Sequence, residues 1–100
     1  MNNVSHLSAG RIIELTGADQ QAVTGSAVLL GVVVTDEAAS SVKIHVHNGT
    51  ANTAPHVAAL NVNSGGSDSV WYGPNGVHCP NGIYIDVVTG TPSGSIFVRD

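Results

Sequence analysis

The sequence predicts an all-β fold: an antiparallel β-sandwich or compact barrel of about seven strands, preceded by a short N-terminal arm. Three observations lead there. No window carries a sustained apolar stripe at i, i+3, i+4 and i+7, the mark of an amphipathic helix. Short runs rich in β-branched residues recur along the chain instead. Between them stand turn formers, among them Asn48-Gly49, Gly65-Gly66, Asn75-Gly76, Asn81-Gly82 and Pro92-Ser93-Gly94. These residues reverse a chain because they tolerate positive φ or preset a turn. No internal repeat is visible, which excludes a solenoid or a propeller.

The elements follow in order. Met1–Ala9 has neither a strand pattern nor a charged side chain. It is expected to be an arm lying on a neighbouring subunit, with a frayed tail as the plainer alternative. Residues 10–100 are expected to form a single β-sandwich domain. Arg11 to Leu15 is the first strand, and Ala27 to Thr35, rich in valine and leucine, is buried on both faces for part of its length. Ser41 to His47 alternates cleanly: Val42, Ile44 and Val46 point one way, Lys43, His45 and His47 the other. His56 to Asn63 packs through Val57, Ala59 and Leu60 or Val62. Ser69 to Tyr72 is short. Gly82 to Thr89 sets Ile83, Ile85 and Val87 against Tyr84, Asp86 and Val88, and Ser95 to Arg99 closes the fold. Asp19-Gln20-Gln21 and Asp36-Glu37-Ala38-Ala39 fall in connections, the second able to form one helical turn.

Composition then limits function. Only 10% of the 100 residues are charged, against 42% apolar and 12 glycines, where an ordinary domain is about a quarter charged. Charge is depleted where a partner covers a surface, so the chain is expected to be an assembly module. Formal net charge is −4, with Arg11, Lys43 and Arg99 the only cations besides histidine. Three dispersed cations do not neutralise a phosphate track, so neither nucleic acid nor an anionic membrane is an expected partner. Cys79 is the single cysteine and forms no internal disulfide. The leader lacks a basic segment followed by an apolar run, and the longest apolar stretch, Ala27 to Val34, contains Gly31 and is too short to span a bilayer as a helix. The expectation is a soluble chain made in a cytoplasm.

Few residues suggest chemistry. His45 and His47 form an H-x-H pair, and alternate strand residues share a face, so both imidazoles can reach one metal ion. His56, His78 and Cys79 are candidate third ligands. None stands at a spacing that fixes it, so the pair is read as the polar face of a half-exposed strand. There is no nucleophile elbow, phosphate loop, calcium loop or H-E-x-x-H motif. Glu14, Asp19, Asp36, Glu37, Asp68, Asp86 and Asp100 are scattered, and Cys79 reads as a small packed residue. Trp71 and Tyr72 are consecutive, so one is expected to point inward and the other outward, where it would meet a sugar or a partner. The sequence assigns no catalytic, cofactor-binding or metal residue, and an enzyme is not expected.

The order of these pieces permits a comparison. Leu15-Thr16-Gly17-Ala18-Asp19, Val23-Thr24-Gly25-Ser26 and the valine-rich strand to Thr35 lead into Val42 to Thr50 and Val57-Ala58-Ala59-Leu60. Pro74-Asn75-Gly76-Val77 comes next, and Asn81-Gly82-Ile83-Tyr84-Ile85-Asp86-Val87 closes the pattern. Over residues 11–100 this resembles the small β-sandwich virion structural proteins of tailed bacteriophages. The resemblance implies a capsid decoration or cement protein. Its partners would be the major capsid protein and further copies of itself, a trimer rather than a dimer, and its location the virion, after synthesis in the host cytoplasm. Neck, tail or fibre-associated roles are the alternative, with a glycan- or metal-binding module as a further class.

Overall fold

The computed structural model describes residues 10–100, and the expected Met1–Ala9 arm lies outside the described residues. Nine strands run through them and no helix: β1 Arg11–Glu14, β2 Gln20–Val23, β3 Ala27–Asp36, β4 Val42–Asn48, β5 His56–Val62, β6 Ser67–Trp71, β7 Val77–Cys79, β8 Ile83–Thr89 and β9 Pro92–Arg99. They form two sheets. One has the order β1-β9-β3-β6, with β7 pairing the start of β3; the other has the order β2-β8-β4-β5. Every pairing is antiparallel.

All seven expected runs are strands. The two additions are short. Strand β2 carries only Ala22 and Val23 as apolar residues, and β7 has three residues before Pro80. The Asp36-Glu37-Ala38-Ala39 connection, able in sequence to form one helical turn, forms none. Asp36 ends β3 instead, and Ala39 and Ser41 take positive φ (56° and 63°) in the bends beyond it.

The inner faces of the two sheets meet in one core. Leu29, Val32, Val34, Ile96 and Val98 come from the first sheet, and Ile44, Val46, Ile83 and Ile85 from the second, all fully buried. That is the alternation of a sandwich, one residue in and the next out. Val57, Leu60 and Val62 pack as expected, whereas Ala59, also expected to pack, is exposed and Ala58 lies against the core.

Of the four register shifts between strands, two bear directly on the outer faces. The β3–β9 register shifts between Leu29 and Gly31, and the β4–β5 register shifts between Val46 and His47. Each inserts one residue and re-aims the side chains beyond it.

A single carboxylate ties the loops at one end. Asp36 is buried and accepts four backbone N–H bonds, from Ala38 (3.1 Å), Ser40 (2.9 Å), Ser41 (2.9 Å) and Gly65 (2.9 Å). The bond from Gly65, against the opposing effect of burial and with help from Ser41, Ala38 and Ser40, holds its pKa below the ordinary carboxylate value. The Gly65-Gly66 turn is therefore anchored to the end of β3. Asp36 N–H also donates to Gly66 O at 3.0 Å.

Candidate functional site

The outer face of the second sheet carries the histidines. Strand β4 alternates as expected, with Val42, Ile44 and Val46 buried in the core and Lys43, His45 and His47 on the other side. The second set is not uniformly a solvated face. Lys43 is exposed and His45 half-buried, but His47 has no exposed surface.

The cover over His47 is local. The segment joining β4 to β5 folds back across it, and Ala54 O accepts a hydrogen bond from His47 Nδ1 at 2.8 Å. A Cβ on Gly49 would overlap that of Ala54, so only glycine lets the segment lie this close. Gln21 Nε2 pins the same segment from β2, donating to Gly49 O at 2.9 Å as well as to Val23 O and Ile83 O. Gly49 N–H donates to Gly82 O, and Asn48 N–H to Pro55 O.

The register shift in β5 supplies the third ring. From Val42 to Val46 the partners run in step to Ala58, and the next pair in step would be His47 with Val57. The shift sets His56 opposite His47 instead. The His56 ring then lies 4.5 Å, centroid to centroid, from both His45 and His47. One ligand-capable atom from each of the three histidines lies within 4.8 Å of the other two. From the other side β8 sets Tyr84 against His47 and Asp86 against His45.

These contacts fix where the protons sit. A carbonyl only accepts, so Nδ1 of His47 carries a hydrogen, and the neutral ring presents a lone pair at Nε2. That Nε2 is buried and has no hydrogen-bond partner. The carboxylate oxygen Asp86 Oδ2 is 3.8 Å away, beyond hydrogen-bond range. A buried polar atom left unpaired costs about 1–3 kcal/mol. For His45, burial is the largest influence. It lowers the pKa from the ordinary histidine value, helped by His56, Lys43 and His47 and opposed by Asp86, whose negative charge favours the protonated ring.

No protein-family model, curated protein or solved structure matches the chain. Geometry and chemistry carry the functional reading.

The other candidate ligands are elsewhere. His78 shares a hydrogen bond of 3.0 Å with Ser26 at the edge of the first sheet. Cys79 is fully buried in the core, where burial pushes its thiol pKa up and keeps it protonated. Among carboxylates Asp36 serves the loops, Glu37 accepts from Ser93 Oγ, and Asp100 pairs with Arg11 at 3.0 Å.

The outer face of the first sheet has the opposite character. Ile12 pairs with Phe97, Phe97 with Gly31, and Gly31 with Trp71, a row across β1, β9, β3 and β6. A Cβ at Gly31 would stand 2.8 Å from Val70 O and 2.9 Å from Trp71 Cε3. The glycine thus lets the indole lie against the strand, the close approach that a strand glycine often marks. The β3 bulge removes Leu30 from the core set, and Gly10, Arg11, Ile12, Leu30, Trp71 and Phe97 line an open cleft of about 230 Å³. Trp71 is 64% and Ile12 67% exposed, whereas Tyr72 packs against the core and donates to Val57 O at 3.3 Å. The expected division of the aromatic pair holds, with Trp71 outward.

Proposed function

We propose that this chain is an assembly module, a structural protein of a tailed-phage particle that decorates and cements the capsid shell, without catalytic activity. The observation that carries the reading is the row from Ile12 to Trp71. Two large apolar side chains stand mostly in water on either side of an open apolar cleft. Full burial of one such side chain is worth roughly 1.5–3 kcal/mol, and aromatic anchors set in apolar surroundings dominate protein interfaces. The neighbouring charges, Arg11 and Asp100, neutralise each other. The complementary surface is therefore apolar and uncharged. This suits another protein, the major capsid protein or a second copy, better than a polyanion. The resemblance to small β-sandwich virion proteins supports the same reading, with a trimer as the favoured oligomer.

A cement protein that binds only the assembled shell stabilises it by its binding free energy. Many copies turn modest contacts into a large reinforcement.

The test is a reconstruction of the phage particle combined with a binding assay on shells stripped of the protein. Density over the shell lattice is expected. Ile12→Ser and Trp71→Ser should each lower occupancy at least about tenfold, the equivalent of 1.4 kcal/mol, with unchanged circular dichroism. Density confined to one vertex replaces cementing by a neck or tail role. A monomer absent from particles overturns the assembly reading altogether.

A further inference from the structure

We propose that His45, His47 and His56 form a binding site for one divalent transition-metal ion of the zinc class, on the face opposite the apolar row. The inference is independent of the assembly reading and stands on three observations.

Three imidazoles converge, each on a defined backbone position. His45 and His47 stand two residues apart on β4, and the β5 register shift sets His56 across from His47. Their ligand-capable atoms lie within 4.8 Å of one another. Ligands bound tetrahedrally at 2.0–2.1 Å stand roughly 3.3 Å apart. The half-buried His45 and exposed His56 rings therefore close onto the fixed His47 by small side-chain rotations.

His47 is already set as a ligand. Its Nδ1 donates to Ala54 O at 2.8 Å, which leaves Nε2 as the lone-pair atom. Metal-bound histidines characteristically hold the other ring nitrogen in this way, on a carbonyl or carboxylate. The same Nε2 is buried without a partner among protein atoms, so a metal ion at the cluster resolves an otherwise unpaired group.

The local charge suits a cation. Asp86 places a carboxylate oxygen 3.8 Å from His47 Nε2, while Lys43, two residues from His45 on the same face, is exposed to solvent. Imidazole nitrogen favours zinc, copper and nickel over calcium or magnesium. Three histidines also leave a coordination position free for water or for a group brought by a partner.

The experiment uses the full chain, stripped with chelator and titrated with Zn²⁺ by calorimetry and with Co²⁺ by visible absorption. One ion per chain is expected, with a Co²⁺ spectrum of low coordination number and a rise in Tm on Zn²⁺ addition. His45→Ala and His56→Ala, which alter incompletely buried rings, should each weaken Zn²⁺ binding at least tenfold. His78→Ala should leave it unchanged. Zn²⁺ binding unaltered in the His45→Ala/His56→Ala double variant, or no binding at millimolar Zn²⁺, overturns the proposal. His47→Ala is a poor sole test because the ring is buried. The two flanking variants decide the outcome even if that one does not fold.

Discussion

Asp36 shows how much one side chain organises here. Its carboxylate satisfies four N–H groups from two separate connections. Asn in its place keeps the shape but replaces one acceptor oxygen with a donor, facing N–H groups. Asp36→Asn should therefore lower Tm by at least about 5 °C, measured by thermal circular dichroism. The pH dependence has a definite sign. Because the folded-state pKa lies below the ordinary 3.8, the stabilisation is fully present above that value and is lost as pH falls through the lower folded one. Below pH 3.8 the wild-type and Asp36→Asn stability curves should approach each other. Parallel curves down to about pH 2 would show that the carboxylate's charge is not what holds the loops. In the sequence Asp36 belonged with Glu37 to a connection. Nothing in an Asp-Glu dipeptide reveals that its acceptors will be filled from Gly65, 29 residues away.

At the level of single strands, alternation was the legible signal and bulges were the hidden one. Strands β4 and β8 follow their period-2 patterns, and Trp71 and Tyr72 divide outward and inward as consecutive strand residues must. The H-x-H pair was visible for the same reason. Which of His56, His78 and Cys79 would join it was not, because His56 meets His47 through a one-residue register shift that no local pattern encodes. Nor did alternation reveal that His47 is buried, since its cover comes from the neighbouring connection rather than its own strand. Gly31 gives a direct test of the other irregular strand. Gly31→Val should force the Trp71 indole off the strand, shifting its fluorescence and lowering Tm, since the added Cβ would also meet the carbonyl of Val70. An unchanged emission maximum would mean that the indole does not depend on the glycine.

For the molecule as a whole, the topology joins distant parts of the sequence. The first described strand pairs with the last, and β3 pairs with β6, β7 and β9. Such non-local pairing makes refolding slow for a chain of this size, on the order of milliseconds to seconds. Stopped-flow refolding, followed by Trp71 fluorescence, should fall in that range, and a microsecond phase carrying the full amplitude would contradict it. The all-β class and the seven expected runs were readable because β-branched residues and turn formers repeat so regularly. The two-sheet partition was not, because it depends on which edges meet.

The two broad sides of the slab are chemically unlike: an indole and an isoleucine on one, a nest of imidazoles on the other. A body seated by its greasy side necessarily turns the nitrogen-rich side toward the surroundings. Particles coated in this orientation would carry a regular lattice of imidazole clusters, and immobilised nickel should retain them whole.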